Sequence, residues 1–216
     1  MSNRFYWKIR DLFDEINKGS PPAWIHITGQ LIWREYFYTM GRENPNFGQI
    51  ENNPLCLAIP WREDDAQLER WKNGQTGYPF IDAGMRQLLQ EGWIHHTVRN
   101  AVAVFLTRGD LWLNWEKGCQ HFYDNLVDGD WAVNAGNWMW LSSSAFDRLL
   151  DCSLCIHPVD FGRRLEPSGD YIRRYVPELA NFDFEYIHEP WKAPLQVQKA
   201  ANCFIGTIFL ILNLFY

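Results

Sequence analysis

Two short stretches carry residue types that could do chemistry. In HHTVRN, the residues His96, Arg99, Asn100 and Ala103 stand at i, i+3, i+4 and i+7, so they share one helix face. Three polar groups followed by a small residue suit the wall of a polar pocket with room for a ligand. They also suit a solvated face, because Val98, Val102 and Val104 supply a separate apolar side. In DGDWAVNAGNWMW, Asp128 and Asp130 sit close together in a short loop, with Gly129 and Gly136 allowing a ligand to approach the backbone. A buried carboxylate needs a charged or donating partner, and Arg99 is the candidate for Asp128. The alternative is a solvated acidic loop beside buried tryptophans. Trp138 and Trp140 point about 200° apart on a helix, so one can face inward while the other faces a cavity. Trp112 and Trp115 stand at i, i+3, on one face of a further expected helix.

Tryptophan is the compositional outlier. Twelve Trp, fourteen Phe and nine Tyr make the chain 16% aromatic. An aromatic-rich core accounts for this, since Trp buries a large area. A planar ligand held by, or electronically coupled to, aromatic rings is the alternative. The chain has 216 residues and a formal net charge of -6, so DNA phosphates would bind only at a local basic patch. The opening MSNRFYWKIRDLFDEI lacks the apolar run of a signal peptide, and the five cysteines are odd in number. Reduced thiols, in the nucleus or cytoplasm, are the expectation. Cys152 and Cys155 form a CxxC beside His157, but a zinc site needs two further ligands and no second pair is evident.

The elements that must position these residues read as helices. Residues 3–17 place Phe5, Ile9, Leu12, Phe13 and Ile16 at helical spacing, and SPPAW at 20–24 breaks the helix. ITGQLIWREYFYTMG follows, with Thr28 as expected cap and Gly41 as expected stop. Residues 42–62 look irregular and helix resumes near 64. Pro79 suits the first turn of a helix that ends at Gly92. WIHHTVRNAVAVFLTRG, LWLNWEKGCQHFYDNLV and AGNWMWLSSSAFDRLL each read as helical, and residues 151–194 as loop-rich with short helices. Strand alternation is absent, so an all-α domain is expected. CFIGTIFLILNLFY is shorter than the ~20 residues that cross a bilayer, which argues against a membrane anchor.

The segments GQLIWREYFYT, IPW, TGYPFIDAGMRQLLQEGWIHHTVRN, FLTRGDLWLNWE, DGDWAVNAGNWMW, FGRR and GDYIRRYVPEL together resemble the helical flavin domain of the animal cryptochrome/photolyase family, over about residues 3–206. The pattern looks closer to insect-type light-sensing cryptochromes than to vertebrate repressors. The resemblance implies FAD as cofactor, held in a folded form by Gln30, His96, Arg99, Asp128, Asp130 and Asn134. Arg99 would pair with Asp128, and Asn134 would face the reactive ring nitrogen of the flavin. Because neutral Asn is not a general acid, Asn134 disfavours a long-lived neutral radical by itself.

The resemblance also implies an electron-transfer chain of Trp138, Trp115, Trp61 and Trp112, from the flavin outward. Trp33, Trp140 and Asn100 would line the cavity where photolyases hold a flipped lesion. Asn100 stands where 6-4 photolyases carry a second catalytic histidine. The implied function is therefore a blue-light photoreceptor in circadian or other light signalling, with clock or signalling proteins as partners, rather than an enzyme. A cyclobutane-dimer photolyase, touching DNA through Arg163, Arg164, Arg173 and Arg174, and a light-independent transcriptional regulator are the alternatives. The family pattern is expected to continue beyond both ends of the chain, so that residues 1–206 form an incomplete domain and 207–216 an apolar tail that departs from it.

Overall fold

The computed structural model describes residues 2–17, 27–146 and 156–204. The break at SPPAW, residues 147–150, Cys152, Cys155 and the tail 207–216 lie outside the described residues, but the helix expected through AFDRLL instead begins at Trp131 and ends at Leu141, with Ser143 and Phe146 beyond it at positive φ (57° and 69°). Within them the chain is helical, and the one β-type contact is an isolated parallel bridge between Arg62 and Leu113. The helices are α1 (Ser2–Asn17), α2 (Ile27–Arg42), α3 (Asp65–Lys72), α4 (Pro79–Glu91), α5 (His96–Val104), α6 (Trp115–Asn125), α7 (Trp131–Leu141), α8 (Pro158–Leu165), α9 (Asp170–Tyr175) and α10 (Leu195–Ala200).

Helix α4 is the hub. Pro79 occupies its first turn, and Gly92 ends it in the left-handed region at φ 66°, which glycine adopts without strain. Every residue from Pro79 to Met85 is buried, because α3, α5, α8 and α9 pack around it. One of those residues is Asp82. Its carboxylate accepts from the backbone N–H and hydroxyl of Thr76 (2.7 and 2.6 Å) and from the N–H of Gly77 (3.0 Å). Burial nevertheless pushes its pKa up to about 6, the three donors opposing the loss of solvent.

Helix α7 lies against α2, α5 and α6, and these four helices carry the site. Several sequence expectations change here. Thr28 and Gly41 both lie inside α2 rather than at its ends. Gly41 is there for contact: a Cβ would lie 2.8 Å from the indole of Trp131. Gly136 likewise serves packing, since a Cβ would overlap the ring of Phe37. The helix expected from Trp93 begins only at His96, with the His95 ring capping it by accepting from the N–H of Thr97. It gives way at Phe105–Gly109 to a π turn in which Thr107 has φ -96° and ψ -112°.

Trp112 and Trp115 do not share a helix face. Trp112 precedes α6 at φ 56°, and Asn114 caps the helix by accepting from the N–H of Glu116. Trp112 turns outward while Trp115 is fully buried. The expected apolar face of α1 is also largely uncovered, with Phe5, Leu12 and Ile16 exposed.

Candidate functional site

Helices α2, α5 and α7 enclose a cavity of about 680 Å³ together with Phe122 of α6 and the 126–130 loop. That volume is in the range of small-molecule and cofactor sites. The period of each helix explains its contribution. From α2, Gln30, Trp33, Arg34 and Phe37 line the cavity at i, i+3, i+4 and i+7. From α5 come His96, Arg99, Asn100 and Ala103, the face expected from sequence. From α7 come Val133, Asn134, Asn137, Trp138 and Leu141, joined by Trp140.

Arg99 and Asp128 meet as expected. Arg99 Nη2 donates to both carboxylate oxygens of Asp128 (2.9 and 3.1 Å), and its Nε donates to the carbonyl of Ile94 (2.8 Å). The Ile94 bond fixes the guanidinium at the start of α5, so the acidic loop is pinned to that helix. Asp130 borders the cavity with both oxygens engaged. Oδ1 accepts from the N–H groups of Ala132 and Val133, capping α7, and Oδ2 accepts from the Tyr38 hydroxyl. His96 lines the cavity with its side chain exposed, and partial burial and then the charges of His95 and Arg99 hold its pKa below the usual histidine range.

Asn134 donates Nδ2 to the carbonyl of Cys119 (2.8 Å) and lies 3.4 Å from its Sγ. A carbonyl can only accept, so the amide nitrogen is held on α6 and Oδ1 remains for the cavity. Burial pushes the Cys119 thiol up to about 12, so it stays protonated. Trp33 and Trp140 meet edge to face, with ring centroids 4.8 Å apart.

The four tryptophans expected to form a chain occupy different depths. Trp138 lines the cavity and is buried against Phe122 (5.1 Å between centroids). Trp115 is fully buried in the core. Trp61 is half-buried and packs on Trp112 at 5.7 Å, and Trp112 is 46% exposed. The backbone holds this last pair, because Arg62 N–H donates to the carbonyl of Trp112 (2.8 Å).

Sequence reasoning missed Arg34, Phe37, Phe122 and Asn137. Helical spacing was signal enough for three of them: Arg34 and Phe37 extend the Gln30–Trp33 face, and Asn137 follows Asn134 by one turn.

Comparison with known proteins decides the family. The profile of the FAD binding domain of DNA photolyase matches residues 27–210. The chain belongs to this family. It is 58% identical over 206 residues to Cryptochrome-1 of Aedes aegypti, covering 94% of this chain and 38% of that one. It is 54% identical over 210 residues to Cryptochrome-1 of Drosophila melanogaster, covering 94% and 39%. The chain thus spans less than half the length of these relatives.

Among solved structures, a Synechocystis cryptochrome superposes with a TM-score of 0.77 at 29% identity, covering 93% of this chain and 41% of that one. A class III photolyase from Agrobacterium tumefaciens superposes with a TM-score of 0.75 at 40% identity, covering 83% and 37%. The protein is thus a flavoprotein domain of the cryptochrome/photolyase type with FAD as its cofactor. Its cavity fits that group. Phe37, Phe122 and Trp138 offer flat apolar walls with Val133 beside them, and Gln30, Arg34, Arg99 and Oδ1 of Asn134 line it as polar contacts.

No helix among the described residues is long and apolar enough to cross a membrane. The four arginines considered for DNA are engaged within the chain. Arg163 pairs with Glu189 (2.8 Å), Arg173 with Asp170 (3.3 Å) and Arg174 with Glu91 (3.2 Å), while Arg164 lies over the Phe161 ring.

Proposed function

We propose that the protein containing this domain is a blue-light photoreceptor that works by oxidising its own tryptophans, in the nucleus and cytoplasm, with signalling or clock proteins as partners. The carrying observation is the placement of oxidisable indoles at graded depths, from Trp138 on the cavity wall to the exposed Trp112. FAD, when bound, supplies a light-absorbing one-electron acceptor. Gln30, His96, Arg99, Asp128, Asp130 and Asn134 are the residues to hold it.

Trp138 gives up an electron across the cavity wall. The hole then passes by way of Trp115 and Trp61 to Trp112, where water takes the indole proton and return is slowed. Asn100 beside His96 supports signalling over 6-4 repair, because a carboxamide cannot act as the second acid–base group that such repair uses. The test is illumination of the full-length, FAD-loaded protein. Trp138→Phe should slow photoreduction strongly, and unchanged photoreduction would remove the electron-chain reading.

The Trp33–Trp140 pair in the cavity supports a second reading, a light-dependent cyclobutane-dimer photolyase. The ion pairs of Arg163, Arg173 and Arg174 weigh against it, since they leave little free positive charge for a phosphate backbone. Light-dependent loss of thymine dimers with purified protein separates the two.

A further inference from the structure

Trp138 is in ring contact with a tryptophan outside the proposed chain. Trp71 of α3 meets it edge to face at 6.1 Å between centroids, interplanar angle 77°. Among the described ring pairs, none joins Trp138 to Trp115. Trp71 is fully buried and stacks on Phe122 (6.2 Å, 13°), which also packs on Trp138. Its indole Nε1 donates to the carbonyl of Val102 at 3.0 Å. The indole nitrogens of Trp115 and Trp61 are buried with no hydrogen-bond partner of sound geometry among the described residues, although the Cys56 thiol lies close enough to Trp115 to feel it.

These differences bear on where a positive hole can rest. Oxidising an indole by one electron makes its N–H strongly acidic and puts a charge into a dry interior. A buried charge is costly unless a polar group answers it, and a charge-assisted hydrogen bond is about twice as strong as a neutral one. Val102 provides that acceptor to Trp71, whereas Trp115 has within reach, among the described residues, only the Cys56 sulfur, a weak acceptor. A backbone carbonyl is not a base, however, so the proton stays on Trp71. A base in ring contact with Trp71 is His121, at 5.6 Å between centroids, which burial holds toward its neutral form. Its Nδ1 lies 3.4 Å from Asn125 Nδ2, and its Nε2 is buried without a partner. The Trp71 N–H is already committed to Val102, so His121 has no proton to take from it. Around His121 the positive charge of Lys72 is met by Glu69, its ion-pair partner at 2.8 Å, and by Asp124.

We infer that Trp71 is a branch point of the chain: a second, enclosed electron donor to oxidised Trp138 that holds the hole briefly and returns it. This inference rests on the tryptophan-chain reading above. In the step, one electron passes from the Trp71 ring to the Trp138 radical cation, which light-excited FAD has produced by taking one electron. Trp138 is restored and Trp71 becomes the radical cation. No bond forms or breaks and no proton moves, so the transfer is reversible. The outer pair differs because Trp112 is exposed and can lose its proton to water.

The experiment uses full-length, FAD-loaded protein with transient absorption and time-resolved EPR of tryptophan radicals. Trp115→Phe closes the outward route. A short-lived, protonated tryptophan radical should remain in that variant, and adding Trp71→Phe should remove it. Identical radical signals in Trp115→Phe and the double variant would overturn the branch. Trp71→Tyr serves as the second variant where Phe leaves too large a void, and it too should abolish the residual signal. A flavin-free readout accompanies these: the ultraviolet resonance Raman band of hydrogen-bonded indole should weaken in Trp71→Phe, and an unaltered band would remove the Val102 contact on which the inference depends. Trp138→Phe distinguishes the two levels, because undiminished radical formation there defeats the whole chain, whereas loss there with no Trp71 effect defeats only the branch.

Discussion

The Tyr38 hydroxyl donates to Oδ2 of Asp130 at 2.5 Å, tying the middle of α2 to the first turn of α7. The opposite oxygen of the same carboxylate caps α7. One side chain therefore fixes both the start of the helix that carries Asn134 and Trp138 and its spacing from the helix that carries Gln30 and Trp33. Asp130→Ala should cost about 0.5–2 kcal/mol through the lost cap alone. Tyr38→Phe should cost about 0.5–1.5 kcal/mol and leave the cap in place. Chemical denaturation measures both, and flavin retained through gel filtration should fall further in Asp130→Ala than in Tyr38→Phe.

Gly118 lets Trp138 rest directly on the backbone of α6, and a Cβ there would overlap the indole and Leu106. Gly118→Ala gains helix propensity, but overpacking at a buried contact costs about 1–3 kcal/mol, so the net effect should be destabilising. The shifted indole should also alter the flavin absorption band shape. A Tm equal to wild type would mean that Trp138 has room to move.

Asp82 makes a signed pH prediction. Its carboxyl has a pKa of about 6 in the fold against an ordinary value of 3.8, so the folded chain holds the proton more tightly than the unfolded one. Its favourable contribution is full below pH 3.8 and is lost as pH rises through 6, with an upper bound of about 3 kcal/mol. Asp82→Asn should flatten this part of the stability profile. It should also cost about 1–3 kcal/mol, because the Gly77 N–H would then face an amide donor. Urea titrations from pH 4 to 7 test both statements.

Arg99 and Asp128 are only partly covered, with side-chain exposures of 24% and 49%. Their coupling in a double-mutant cycle should be about 0.2–1 kcal/mol in the flavin-free protein, as for partly exposed pairs. Flavin affinity should respond more strongly than stability to Arg99→Ala, since both residues line the cavity. A coupling well above that range would mean that the pair organises the fold itself.

Much of this site was legible in sequence because helical spacing is local. The α5 face, the Arg99–Asp128 pair and the Pro79 and Gly92 ends of α4 follow from residue types at fixed offsets. What escaped depends on contacts between elements. Gly41 reads as a helix stop until Trp131 is seen lying on it. Trp112 and Trp115 read as one face until the positive φ of Trp112 separates them. Tyr38 and Trp71 carry no local signal, since their partners lie 92 and 67 positions away, at Asp130 and Trp138.

The π turn at Phe105–Gly109 sets the phase between the two halves of the site. It spends one residue more than an α turn on the same path, between the helix that lines the cavity and the indole that leads away from it. Thr107 breaks the helix within it, and the chain then runs through Asp110–Asn114 before α6, with Trp112 N–H donating to the Thr107 carbonyl (2.8 Å) and Leu113 N–H to the Leu106 carbonyl (2.9 Å). Removing one residue there would break these pairings and pull the start of α6, with Trp115, out of place. The domain should accordingly tolerate neither a change in the length of this turn nor a polar residue at its buried Phe105 and Leu106, as a gear tolerates a worn tooth and not a missing one.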